Sequence, residues 1–177
     1  MAARSRTWSW HHPTRSRATW NSSWSVLCRS ENELAHVLLR TSERHKTDHE
    51  LFHVARELVG WCHDHVRDLA AIGRDYGVDL DAEPASDSSV FEAARERMSE
   101  WLGRRSEPAL LMLADLRHVY RVSGGVSMDW ELLAQAAQGA KQQELLELAE
   151  RCHPETLRIM RWANGKLKES ATQALVS

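Results

Sequence analysis

The chain has 177 residues, of which 42% are hydrophobic and 27% are charged, and its formal net charge is -2. This length can bury the core of one domain, and this composition is typical of a globular chain rather than a disordered one. The near-neutral charge provides no global attraction to nucleic acid, so the composition indicates no polyanionic partner.

Cysteine usage and hydropathy indicate the compartment. The three cysteines are odd in number, far apart and in no Cys-x-x-Cys pair, which argues against a disulfide framework or a zinc knuckle. No window approaches the roughly 20 consecutive apolar residues of a membrane span, and the start lacks the apolar region of a secretory signal. We therefore expect a cytoplasmic protein without a membrane span.

Residues 1–29 differ in composition from the rest of the chain. They contain five arginines, four tryptophans and no acidic residue, and aliphatic periodicity begins only at Val26. Because such a segment has few apolar partners, we expect it to be disordered. The alternative is a basic arm that stacks on single-stranded nucleic acid, for which Arg and Trp are suited. Nothing else in the chain favours that alternative.

Capping boxes predict where the first two helices begin. Residues 30–33 (Ser-Glu-Asn-Glu) match a capping box and start the first helix. A second box at residues 47–50 starts the second helix, so the first must end near residues 44–46. Such a short connection makes the two helices antiparallel neighbours. The second helix is predicted to run to about Asp75 and to end in a left-handed stop at Gly77.

The third helix is predicted to be interrupted. A capping box at residues 89–92 starts it, Gly103 and Pro108 interrupt it, and the Ser-Gly-Gly run at 123–125 ends it. We expect a kinked pair of segments because proline in a helix interior removes a hydrogen bond and clashes with the preceding turn.

The fourth helix is predicted from near Asp129 to near Glu169, with a kink or a new start at Pro154. No strand pattern and no internal repeat is visible. The expected fold is an all-α, up-down-up-down four-helix bundle over residues 30–177. A projection at 100° per residue predicts its core: Leu34, Val37, Leu38 and Thr41; Leu51, Val54, Leu58, Trp61, Cys62, His65, Leu69 and Ile72; and Leu145, Leu148, Cys152, Ile159, Trp162 and Ala163.

Four acid-x-x-His pairs are candidate metal ligands. Helical bundles build di-iron or di-manganese sites from such pairs when the pairs face the bundle axis. Most of these pairs are predicted to point away from the apolar stripes, and only the third lies on a segment apolar enough to bury it. The pairs are Glu33/His36, Glu50/His53, Asp115/His118 and Glu150/His153.

We expect no metal or other cofactor, and we expect His65, at the centre of an apolar stripe, to be a hydrogen-bonded core histidine. The alternative is an iron, manganese or zinc site that uses Asp115, His118 and His65. No nucleophile elbow, Walker loop, zincin motif or dinucleotide fingerprint is present. Cys62 and Cys152 are predicted to face the core, where a thiol is usually inert, so we expect no catalytic residues.

The fourth predicted helix carries a second apolar set beside its main stripe, and basic residues follow it. Such a wide stripe favours a homodimer or a protein partner. The alternative is that the first helix packs there and that the basic residues complement the helix dipole. The apolar residues are Leu146, Leu157 and Met160, and the basic ones are Arg158, Arg161, Lys166 and Lys168.

The paired first helices, the kinked third helix and a last helix ending in LKESATQALV resemble small bacterial four-helix bundles of the ferritin-like type. The resemblance covers about residues 30 to 175 and implies a ferritin-like fold. Where ferritin-like enzymes place inward ligands, this chain offers mostly Leu, Cys and Trp. We therefore expect a non-catalytic bundle that acts through its helix faces, with a metal-binding ferritin-like protein as the alternative.

Overall fold

The computed structural model describes residues 15–81 and 107–176, with the side chains of the first helix described from Ser22 onward. This part of the chain is helical and contains no strand, which confirms the all-α prediction. The helices are α1 (Arg15–Arg44), α2 (His49–Gly73), α3 (Pro108–Ala140) and α4 (Gln143–Val176), and a short 3-10 turn, Arg74–Tyr76, follows α2. The predicted capping box at 89–92, the interruption at Gly103 and residues 1–14 lie outside the described residues.

Helix α1 begins well before the predicted start at Ser30. Trp24 and Leu27 are fully buried, and the Trp24 ring lies 5.8 Å from that of Tyr76. For residues 15–29 the expectation of a disordered segment is therefore wrong. Trp24 and Leu27 precede Leu34 by ten and seven residues and so continue its stripe, with an aromatic side chain where an aliphatic one was expected.

The turn between α1 and α2 is as predicted to within one residue. Helix α1 ends at Arg44, and the Asp48 carboxylate caps α2 by accepting a hydrogen bond from the Leu51 amide at 3.0 Å. At the other end of α2, Gly77 has a φ of 72°, which is the predicted left-handed stop.

The predicted boundary between the last two helices is wrong. Helix α3 continues through Gly124 and Gly125 and ends at Ala140. The next residue, Lys141, has a left-handed backbone with a φ of 56°. Two helical glycines cost about 1 kcal/mol each, and burial of the Trp130 side chain, five residues after Gly125, outweighs that cost. Pro108 occupies the first turn of α3, where no amide is needed, and so starts that helix instead of kinking it.

Helices α1 to α4 run up, down, down and up. Ser30 donates to the Asp129 carboxylate at 2.7 Å and Arg44 donates to Asp115 at 2.7 Å, so later residues of α1 meet earlier residues of α3. Helix α3 is therefore antiparallel to α1 and parallel to α2, which differs from the predicted up-down-up-down order. Only a tight turn forces sequential helices to be antiparallel, and the long stretch between α2 and α3 allows a crossover.

The core is close to the predicted one. All four predicted positions of α1 are buried, and the predicted stripes of α2 and α4 are buried apart from four positions at their edges. Those four, Val54, Trp61, Ile72 and Trp162, are partly buried against the core. Pro154 lies inside α4, and a bend at this position stays a prediction.

Candidate functional site

A charged cluster lies inside the bundle where the four helices meet. Nδ1 of His65 on α2 lies 2.9 Å from Oε1 of Glu31 on α1, and its Nε2 lies 2.9 Å from Oε2 of Glu155 on α4. The His65 side chain is 2% exposed and that of Glu31 is fully buried, whereas that of Glu155 is 33% exposed. The cluster therefore reaches from the core to the surface between α2 and α4.

Helix α3 contributes a tryptophan to this cluster. Nε1 of Trp130 donates to Oε1 of Glu31 at 2.6 Å, and the Trp130 ring lies edge-on to His65 with 5.5 Å between the centroids. A buried carboxylate is tolerated only when it is paired and hydrogen-bonded. Trp130 and His65 both bind Oε1 of Glu31, whereas its Oε2 is buried without a hydrogen-bond partner among the described residues.

The surroundings of His65 favour its charged form. Burial by itself lowers the pKa of His65, but hydrogen bonding to Cys152 and Glu31 and the charge of Glu31 outweigh it and raise the pKa to about 11. Burial, followed by the charge of Glu31, also raises the pKa of the Cys62 thiol well above its ordinary value. At neutral pH the cluster thus holds an imidazolium between two carboxylates, with Cys62 as a neutral thiol.

This arrangement suits an ionic clamp better than a metal centre. Because both ring nitrogens of His65 donate protons to carboxylates, neither presents a lone pair to a cation. Among the described residues no three His, Cys, Asp or Glu side chains are grouped as metal ligands would be. The predicted role of His65 as a hydrogen-bonded core histidine agrees with its two contacts.

The three alternative metal ligands do not come together. Asp115 is buried, but its carboxylate accepts two hydrogen bonds from Arg44, at 2.7 and 2.8 Å, and lies 2.9 Å from Nε2 of His45. Fifteen residues of α3 separate Asp115 from Trp130, which packs on His65, and this is about 22 Å along a helix. The set Asp115, His118 and His65 is therefore not a site in this fold.

The surroundings of Asp115 and of His118 shift the pKa of each residue for different reasons. Burial raises the pKa of Asp115, but hydrogen bonding to His45 and the charge of Arg44 outweigh it and lower that pKa below its usual range. Burial, followed by the charge of Arg40, lowers the pKa of His118. Asp115 therefore serves as the anion of an ion pair between α1 and α3.

The other acid-x-x-His pairs mostly face water, as predicted. Their three carboxylates, on Glu33, Glu50 and Glu150, are exposed, and so is His53. His153 is half-buried, with its Nε2 2.8 Å from Oγ of Ser127.

A shallow groove opens on the other side of the molecule, between α3 and α4. It has a volume of about 210 Å³ and is lined by Tyr120, Leu157, Met160, Arg161 and Asn164. The three residues of the second apolar set predicted for the last helix do not lie together. Leu157 and Met160 line the groove, whereas Leu146 packs against the core.

One arginine lines this groove, and three more lie close to its lining residues in the sequence. Arg161 lies on its wall, Arg117 and Arg121 flank Tyr120 on α3, and Arg158 is one turn before Arg161 on α4. All four are exposed, and none forms an ion pair with residues 15–81 or 107–176. Lys166, which was grouped with them in the sequence, instead points to Glu50, with 2.8 Å between Nζ and the carboxylate.

Sequence reasoning missed Glu31, Trp130 and Glu155. Glu31 was interpreted as part of a helix cap, although it lies three residues before Leu34 and four after Leu27, on the apolar stripe of α1. A carboxylate on such a stripe needs a buried partner, and this signal could have linked Glu31 to His65. Trp130 and Glu155 carry no comparable local signal.

No helix in the described ranges is long and apolar enough to cross a membrane. No protein-family model, curated protein or solved structure matches the chain.

Proposed function

We propose that this chain is a non-catalytic binding protein whose α3–α4 groove docks an acidic amphipathic helix of another protein. The observation that carries the proposal is the combination of a Tyr, Leu and Met groove with arginines that have no partner among the described residues. Tyrosine, methionine and arginine are enriched at the centres of protein interfaces.

The size of the groove suits one anchoring side chain. A cavity of about 150 Å³ accommodates a benzene ring, so the 210 Å³ between Tyr120 and Leu157 has room for one large apolar group. A partner helix would insert this anchor and place its flanking carboxylates near Arg117, Arg121 and Arg161.

Charge complementarity selects the chemistry of the partner. A basic or neutral helix would leave the arginines without compensation and would be repelled or bound weakly. An acidic helix with a single apolar stripe would fill the groove with an apolar side chain and pair its carboxylates with the arginines.

The test uses a fluorescent synthetic helical peptide with leucine at i, i+3 and i+4 and glutamate elsewhere, followed by anisotropy. The proposal predicts saturable binding that Arg161→Glu weakens at least tenfold, which is about 1.4 kcal/mol, and that Met160→Asp abolishes. Arg74→Glu, an exposed arginine on the turn after α2, is the matched control and leaves binding unchanged.

Three outcomes would refute this function. They are equal binding of a peptide with lysine in place of glutamate, equal loss in the Arg74→Glu control, and a stable homodimer in light scattering that Met160→Asp dissolves. In the last case the groove is covered by a second copy of the chain.

For the architecture we propose a ferritin-like bundle. The up, down, down, up order is compatible with this because it requires one long crossover, as ferritin-like folds do. For the compartment we keep the cytoplasm, which suits three cysteines that are all free.

A further inference from the structure

The contact between α2 and α4 differs in kind from the other helix contacts of the bundle. Their backbones approach closely at few places, whereas α1–α2, α3–α4 and α1–α3 are packed along much of their length. Four ion pairs span this seam: His65–Glu155 at 2.9 Å, Asp68–Arg151 at 2.6 Å, Glu50–Lys166 at 2.8 Å and, from the N-cap of α2, Asp48–Lys166 at 3.5 Å.

Two of these pairs have solvent-exposed members. The Asp68 and Arg151 side chains are 44% and 58% exposed, and that of Glu50 is 61% exposed, whereas that of its partner Lys166 is 9% exposed. Ion pairs of this kind weaken as salt screens them, whereas apolar packing does not weaken in this way. The seam therefore depends on ionic strength more than a helix contact made by apolar packing does.

From this distribution we propose that the bundle opens along the α2–α4 seam as two intact hairpins, α1–α2 and α3–α4, which hinge on the α1–α3 contact. Local openings of this kind occur in folded proteins at free energies below that of global unfolding. Because the ion pairs set the opening equilibrium, a higher ionic strength shifts it toward the open form.

The chain carries its own probes of this motion. Cys62 on α2 and Cys152 on α4 are buried beside the His65 cluster, and an open seam would bring them into contact with solvent. Cys28 lies on α1, which keeps its packed neighbours α2 and α3 in the open form, so it serves as the internal reference.

The experiment measures the rate at which each cysteine reacts with a thiol reagent, using mass spectrometry of proteolytic fragments. The double variant Asp68→Asn/Glu50→Gln removes two of the exposed pairs. Lys166 retains Asp48 across the seam at 3.5 Å and Glu169 on its own helix at 3.7 Å, so its charge stays compensated. Modification of Cys152 is expected to accelerate at least tenfold, with less than a twofold change at Cys28.

The matched control is Glu43→Gln, which removes a pair that is 35% and 41% exposed, Glu43–Arg56, between the closely packed α1 and α2. It should leave the rate at Cys152 within twofold of that of the unmodified chain. Raising salt on the unmodified chain should accelerate Cys152 as the double variant does. Circular dichroism checks that each variant remains folded.

The proposal is overturned if Glu43→Gln accelerates Cys152 as much as the double variant does, or if added salt slows its modification. It is also overturned if modification of Cys152 has the same denaturant dependence as global unfolding, because the seam would then not open separately.

Discussion

Changing His65 to glutamine tests whether the buried cluster carries an imidazolium. The substitution removes the positive charge and leaves Glu31 buried with Trp130 as its remaining donor. Removing one partner of a buried ion pair typically costs about 3 to 5 kcal/mol. We expect the free energy of unfolding at pH 7 to fall by that amount.

The pH dependence is the sharper part of the test. The pKa of His65 is raised from 6.5 to about 11, so its stabilising contribution is fully present below pH 6.5 and is lost as the pH rises through 11. With 1.36 kcal/mol for each pKa unit, the advantage of the unmodified chain over His65→Gln should shrink by about 2 to 3 kcal/mol between pH 7 and pH 9.

Urea unfolding at pH 7, 8 and 9, followed by tryptophan fluorescence, measures both quantities. His53→Gln, an exposed histidine on the same helix, is the control and should change stability by less than about 0.5 kcal/mol. Parallel stability curves for the unmodified chain and His65→Gln over this pH range would refute a charged His65.

Three further predictions concern stability. Trp24→Ala should lower the free energy of unfolding in urea by about 3 to 5 kcal/mol, and a loss below about 1 kcal/mol would mean that α1 before Ser30 is not part of the core. Asp115→Asn should cost about 1 to 3 kcal/mol at pH 7. Because the pKa of Asp115 is depressed below 3.8, that advantage of the unmodified chain is present above pH 3.8 and disappears as the pH falls through the depressed value, which an acid titration followed by circular dichroism would show. Lys141→Gly should raise stability by about 1 kcal/mol in thermal melts because it relieves a left-handed backbone, whereas Lys141→Ala should bring no gain.

Local signals in the sequence were sufficient for some boundaries and not for others. The tight turn before Asp48 and the left-handed stop at Gly77 were predicted because each depends on residues within one or two turns. The end of α3 at Lys141 could not be predicted, since Gly124 and Gly125 offer a better local signal for a helix end. Burial of neighbouring side chains against α4 decided that competition.

The same division applies to the candidate sites. Periodicity placed His65 in the core and Leu157 and Met160 beside the main stripe of the last helix, because the direction of a side chain follows from its position on its own helix. It could not identify the partners Glu31 and Glu155, which lie on other helices.

The sequence by itself determined that this protein is helical, where its first turn lies and which residues of α1, α2 and α4 form the core. Only the tertiary structure decided that α3 runs parallel to α2, that His65 lies between Glu31 and Glu155, and that Arg161 has no ion pair among the described residues. The physical reason is range: helix propensity and amphipathicity act over a few residues, whereas helix direction and the state of a buried charge depend on groups brought together from distant parts of the chain.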